Sequence, residues 1–404
     1  MTGAAQLHEA LVREIRAAGD AWREPVHQAL RAVPRHLFVP EVPLEEAYAI
    51  GSAVVTKRDG RGNALSSASA PAIVALMLDQ LDVLPGHRVL EIGCGTGYNA
   101  ALLAELTGPT GQVVSVDIDP ECTARARAAL TRTGHTDVEI RTGDGALGTG
   151  DGAVFDRIIV TAGAWDIPPA WFAQLAVGGR LVVPLRWRRQ CQSVAFAREP
   201  DRFRSDAMAL AGFIPLATPD GEHRTDIGGP VILSWDADQP VDPGELSGIL
   251  DRPAEAVWSG VVVGPGDPLD HIWLRLTTDP RACWLLGRPF PLPEGATVPV
   301  RGPALVDGAS LAFFTHRRAG PEPGRSELGA LGFGPSGAAL AQVIAGHVHA
   351  WEVARDVVPQ LTVYPAGTPD EVLPDGTVIE KHHTRLVVSY PQSFILGPHR
   401  GSTG

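Results

Sequence analysis

Cysteine is scarce in this chain. Its four residues, Cys94, Cys122, Cys191 and Cys283, are scattered through 404 positions. No C-x-x-C pair and no Cys/His cluster at metal-ligand spacing occurs, so no metal is expected. The only close histidine pairs, His347/His349 and His382/His383, read as surface or packed positions. Basic residues are also in the minority: 34 Lys and Arg stand against 46 Asp and Glu, a net charge of -12. That balance argues against general nucleic-acid binding, which rests on neutralising phosphates, and leaves a peptide or protein partner open. No apolar run is long enough to span a bilayer. The N-terminus lacks the charged-then-apolar pattern of a secretory signal. A cytoplasmic protein without a membrane partner is expected, with its oligomeric state left open.

What is present is organised around Val89-Leu90-Glu91-Ile92-Gly93-Cys94-Gly95-Thr96-Gly97-Tyr98. An apolar run ends in an acid, glycines follow at alternate positions, and a helix begins near Asn99. This reads as a buried strand, a tight turn and a helix N-terminus, with glycines where a ligand must lie against the backbone. The spacing is G-x-G-x-G. It is neither the dinucleotide fingerprint nor a P-loop. A second strand, Gln112 to Val116, ends in Asp117, whose carboxylate suits the two hydroxyls of a ribose. A third leads to Gly143-Asp144-Gly145, where an acid in a turn could accept from an adenine amino group. A fourth runs from Phe155 to Thr161. Acid-ended strands separated by helices fit an S-adenosyl-L-methionine (AdoMet) site; another adenosine ligand is the competing reading. Cys94 fills a small-residue position in the turn, which argues against a nucleophile.

The length suggests two or three domains. Residues 6–32 carry apolar positions at helical spacing, broken near Gly19-Asp20. Residues 52–69 read as a long polar, Gly-rich loop, functional or disordered. A helix is expected over 72–81 with Ser69 near its N-cap. Strands and helices then alternate to about residue 216, the pattern of a parallel sheet wrapped by helices. Residues 217–230 are polar and Gly/Pro-rich, a candidate linker. Residues 231–404 hold short apolar runs and helical stretches at 243–250, 268–278 and 337–355, and read as an α+β accessory domain without a chemical motif.

Residues 5–216 resemble the protein-L-isoaspartate O-methyltransferases. The resemblance rests on Val33-Pro34-Arg35-His36-Leu37-Phe38-Val39-Pro40, on Ser67-Ala68-Ser69-Ala70-Pro71, on Leu90 to Tyr98, and on Asp144-Gly145 with Ile158 to Ala162. It implies a Rossmann-like class I AdoMet-dependent methyltransferase with a seven-stranded α/β sheet. AdoMet is then the donor and S-adenosyl-L-homocysteine the product. The acceptor is an aspartyl or isoaspartyl carboxylate of a peptide or protein. It further implies that Glu91, Gly93, Cys94, Gly95, Thr96, Gly97, Asp117, Ile118, Asp144, Gly145 and Thr161 hold the cofactor. Ser69 becomes the active-site serine, with Ser66, Ser67 and Ala68 beside it at the substrate. Arg58 and Arg61 either meet the peptide's charge or are solvated.

The segment before the serine is longer and more charged than the family's usual one, and the region after 216 is extra. That layout resembles longer relatives associated with ribosomally made, modified peptides. It implies methylation of an aspartate in a precursor peptide, with the ester closing to a succinimide that opens to Asp or isoAsp. The alternative is repair of isoaspartyl residues in damaged proteins. A non-catalytic AdoMet-binding scaffold is a third reading. The acceptor carboxylate, with a pKa of about 4, is already ionised at neutral pH, so no general base is required.

Overall fold

The computed structural model describes residues 3–217, 221–228, 231–291, 297–320 and 324–390. They form two compact units, one of residues 1–186 and 191–218, the other of 187–190 and 219–404. The predicted linker 217–230 is only partly a connection. Its residues 218–220 and 229–230 lie outside the described set, and Glu222–Asp226 is a strand of the second unit.

In the first unit, α1 (Ala4–Ala18) and α2 (Glu24–Ala32) follow the predicted apolar spacing, and Leu11, Ile15, Val26 and Leu30 are buried. A short helix α3 (Leu44–Ala47) precedes β1 (Val54–Arg58) and β2 (Ala64–Ala68). These two strands correct the loop expected over 52–69, because they pair as an antiparallel hairpin. Its turn is held by the Asp59 carboxylate, which accepts from the backbone N–H groups of Arg61 and Asn63 at 2.8 Å each. A run of polar residues can still pair as strands when one carboxylate closes the turn.

Then come α4 (Pro71–Leu81), β3 (Arg88–Ile92), α5 (Tyr98–Thr107), β4 (Gln112–Asp117), α6 (Pro120–Thr133), β5 (Glu139–Thr142), β6 (Phe155–Val160), α7 (Pro169–Gln174), β7 (Leu175–Trp187), β8 (Gln190–Arg198) and β9 (Phe203–Leu210). Their strand order is β9-β8-β7-β6-β3-β4-β5. The strands β7, β6, β3, β4 and β5 are mutually parallel, and β8 and β9 pair antiparallel. The central strands carry apolar runs buried on both faces, Val89-Leu90 and Ile158-Ile159-Val160, all 0 % exposed. The chain leaves β3 first to one side, β4 and β5, and then returns to the other, β6 and β7. That reversal opens a crevice at the carboxyl ends of β3 and β6, where ligands bind in open α/β sheets.

The second unit is richer in strand than the α+β expectation. Seven antiparallel strands are ordered 222–226, 232–236, 282–286, 301–307, 310–318, 326–333 and 255–263. Helix Gly337–Val353 buries Leu340, Ala341, Ile344, Val348 and Trp351 in a core with Phe314 and Ala330. A separate core holds Leu233, Leu285, Phe313 and Phe333. Gln360–Pro365, Thr377–Glu380 and Thr384–Ser389 pair antiparallel. The helix expected over 243–250 is instead turns and a short 3-10 segment, Ile249–Asp251. Pro243 and Gly244 sit where an α-helix would begin, and the Asp242 carboxylate accepts from Gly244 N–H at 2.8 Å, which favours a turn. Among the described residues no helix is long and apolar enough to cross a membrane, and no group of three or more His, Cys, Asp or Glu could hold a metal.

Candidate active site

A cavity of about 520 Å³ lies at the carboxyl ends of β3, β4 and β6, within the ordinary range for small-molecule sites. The glycine turn forms its floor. Gly93 has φ 98° and its N–H donates to Val116 O at 2.7 Å. A Cβ there would stand 2.5 Å from Thr161 Oγ1. Thr161 needs that space, because its hydroxyl donates to Gly93 O at 2.6 Å and its N–H to Ile92 O at 2.8 Å. The role expected of Thr161 is therefore partly architectural: it staples β6 to the turn. Gly95, φ 48°, faces the hairpin, and a Cβ would lie 3.4 Å from Ser67 O. The serine strand thus sits directly over the glycine turn.

Two acids bracket the turn. Glu91 is wholly buried; Asn99 donates to Oε1 at 2.8 Å and the Ser115 hydroxyl donates to Oε2. Burial pushes its pKa from 4.5 up to about 7 against those donors, and the negative charge of Asp117 adds to the rise. No cation pairs with Glu91 among the described residues. Asp117 accepts from Gly95 N–H at 3.1 Å and from Asp119 N–H at 3.0 Å. A carboxylate has about four acceptor sites, so capacity remains on the cavity side. A buried unpaired acid and a second acid at the mouth fit a ligand that carries positive charge and paired hydroxyls, which AdoMet does. Asp144 closes its own turn by accepting from Ala146 N–H at 2.9 Å. Burial and the neighbouring carboxylates Asp117 and Glu91 raise the Cys94 thiol, which removes it as a nucleophile.

Of the residues singled out from the sequence, Ser66, Ser67, Ala68 and Ser69 line the cavity from the hairpin side. Glu91, Gly93, Cys94, Gly95 and Thr96 line it from the turn, and Asp117, Ile118, Asp144, Gly145 and Thr161 from the neighbouring strand ends. Gly97 caps α5 behind the turn, with Ala126 3.2 Å from where its Cβ would be. Arg58 and Arg61 do not line the cavity. They belong to the hairpin tip, where Arg58 donates to Gly62 O at 2.9 Å. Ser69 is not the N-cap of α4; that position is Ala70, without a side-chain cap. Its hydroxyl is therefore not committed to the helix.

Sequence reading missed several supports. Asn99 and Ser115 hold Glu91. Lys57 Nζ lies 2.5 Å from Asp119 and 2.8 Å from Glu121, tying the hairpin to the start of α6. The buried Trp171 donates to Gly145 O at 2.9 Å. Residues 212–217 form a cavity wall, with Gly163 N–H donating to Ile214 O at 2.8 Å and Leu216 N–H to Gly163 O at 2.9 Å. All but the Asn99–Glu91 contact join residues remote in the chain, and only the opposite charges of Lys57 and Asp119 were visible signals.

The sequence profile described as protein-L-isoaspartate(D-aspartate) O-methyltransferase matches residues 5–221. A protein-L-isoaspartate O-methyltransferase of Methanopyrus kandleri is 38% identical over 215 residues, 53% of this chain and 92% of that protein. Protein-L-isoaspartate O-methyltransferase 1 of Archaeoglobus fulgidus is 44% identical over 193 residues, 48% of this chain and 85% of that protein. A solved structure named protein-L-isoaspartate O-methyltransferase aligns over 88% of this chain and 96% of its own, with TM-score 0.50 and 21% identity. The fold is that of the class I AdoMet-dependent methyltransferases with an added β-rich unit. An alignment that long runs well past residue 217. The names of the matched family and of these relatives refer to isoaspartate, and none of them mentions a precursor peptide.

Proposed function

Because the chain belongs to the protein-L-isoaspartate(D-aspartate) O-methyltransferase family, AdoMet-dependent protein carboxyl methyltransferases, we propose that it esterifies the free carboxylate of isoaspartyl residues in proteins and peptides. The observation that carries this reading is the single cavity shared by the serine strand and the acid-flanked glycine turn. AdoMet supplies a sulfonium-activated methyl group when bound. Glu91 and Asp117 would hold its charged and hydroxyl groups, with the turn's backbone beneath. Ser69 would hold the acceptor carboxylate by hydrogen bond. That carboxylate, ionised at neutral pH, needs no base. The residues' work is alignment and exclusion of water, which strips the carboxylate of the solvent that stabilises it. The next backbone amide nitrogen can then attack the ester carbonyl without help, forming the N–C bond of a succinimide as the C–OCH3 bond breaks and methanol leaves with the amide proton. Water then opens the ring to Asp or isoAsp.

Nothing in the site favours an aspartyl precursor over an isoaspartyl chain. The test is a matched set of peptides carrying Asp, L-isoAsp or D-Asp at one position, incubated with full-length protein and AdoMet and followed by mass spectrometry. Methyl gain on the L-isoAsp peptide, well above the Asp peptide, is expected. Preference for the Asp peptide would overturn the reading.

A further inference from the structure

Arg35 is 0 % exposed and has no acidic partner among the described residues. Its Nε donates to Ala47 O at 2.9 Å, and its Nη2 donates to Ala68 O at 3.1 Å and Ser69 O at 2.8 Å. Its guanidinium also lies 5.0 Å from the centre of the Tyr98 ring. Nη1 is buried without a hydrogen-bond partner. Burying a guanidinium without a counter-ion is costly, and neutral acceptors return only part of that cost. A core position would be served at lower cost by an apolar side chain.

The contacts say what the cost secures. Ala68 ends the serine strand and Ser69 follows it directly, and Tyr98 is the first residue of α5, directly after the glycine turn. Both ends line the cavity, whereas Arg35 does not. We infer that Arg35 is a positioning residue that clamps the Ser69 backbone to the head of the cofactor helix and so sets the spacing between acceptor and methyl donor. Its planar fork reaches acceptors on two segments at once, which a lysine's single ammonium cannot do in the same geometry. This inference rests on the acceptor role given to Ser69 above.

The experiment is a double-mutant cycle of Arg35→Lys and Ser69→Ala in the full chain, assayed on whichever acceptor peptide the wild type esterifies, so that a wrong acceptor assignment does not blur it. Arg35→Lys should lower kcat for the peptide by about 10²-fold, the scale of a misplaced reactant, while the Kd for S-adenosyl-L-homocysteine stays close to the wild-type value. The double variant should be little worse than Ser69→Ala alone, because both changes remove the same placement. Guanidinium ion should partly restore Arg35→Ala. Fully multiplicative losses, or S-adenosyl-L-homocysteine affinity falling in step with turnover, would overturn the inference. So would failure of both Arg35→Lys and Arg35→Ala to fold, which would make Arg35 a stability residue.

Discussion

Glu91 and Arg35 in one unit and Arg188 in the other handle buried charge in opposite ways. In the first, Glu91 and Arg35 are fully buried, and each is held by neutral partners, with no opposite charge paired to it among the described residues. In the second, buried Arg188 meets two carboxylates. Its N–H donates to Asp236 Oδ2 at 2.9 Å, and its Nη1 and Nη2 donate to the two Asp238 oxygens at 2.5 and 2.7 Å. The sheets differ in the same sense. The first is parallel at its centre and open at its carboxyl ends. The second is antiparallel, and its unit holds two separate cores. A charge neutralised inside the protein stabilises the fold and asks nothing of a ligand. A charge left without its opposite on a cavity wall, as at Glu91, is open to completion by a charged ligand, whereas Arg35, off the wall, holds backbone carbonyls instead.

That contrast can be broken by experiment. The largest effect is expected from Asp236→Ala, which removes one carboxylate from a buried pair and should cost about 3–5 kcal/mol of stability, read as a fall in the thermal or urea midpoint. A change near zero would mean that Asp238 alone suffices and the pair is not a structural device.

Glu91→Gln should act through pH. Glu91 has a folded pKa of about 7, above its ordinary 4.5. Its contribution is complete below about pH 4.5 and is lost as pH rises through about 7, a swing of about 3 kcal/mol at 1.36 kcal/mol per pH unit. Without AdoMet, the wild type should therefore lose stability relative to Glu91→Gln between those values. Parallel midpoint curves for the two proteins would show that the charge at Glu91 is already compensated.

The smallest effect should come from Asp117→Ala, a change at the cavity mouth. It should weaken S-adenosyl-L-homocysteine by about 1–3 kcal/mol, the scale of a charge-assisted hydrogen bond, with little change in the thermal midpoint of the free protein. Unchanged affinity by calorimetry would remove Asp117 from the ribose role.

Much of the first unit was legible in the order of its residues. Strand and helix alternation, the acids at strand ends and the glycine spacing are local patterns, and each reports a local requirement of backbone or burial. The hairpin 54–68 was not legible, since polar strands carry no apolar period and the closing contact is a single carboxylate. The second unit was least legible. Some of its strands pair across long separations, as 255–263 with 326–333, and no local signal encodes such pairing.

From residue order alone came the glycine turn, the acids beside it and the family, because these depend on which groups stand within a few positions of one another. Tertiary structure alone decided that Ser67 lies over that turn and that Ser69 lines the same cavity, freed from capping α4 and held through its backbone carbonyl by Arg35. The reason is that a methyl transfer needs two segments held at a set distance. A distance between residues 69 and 95 exists only once burial and hydrogen bonding have closed the chain on itself.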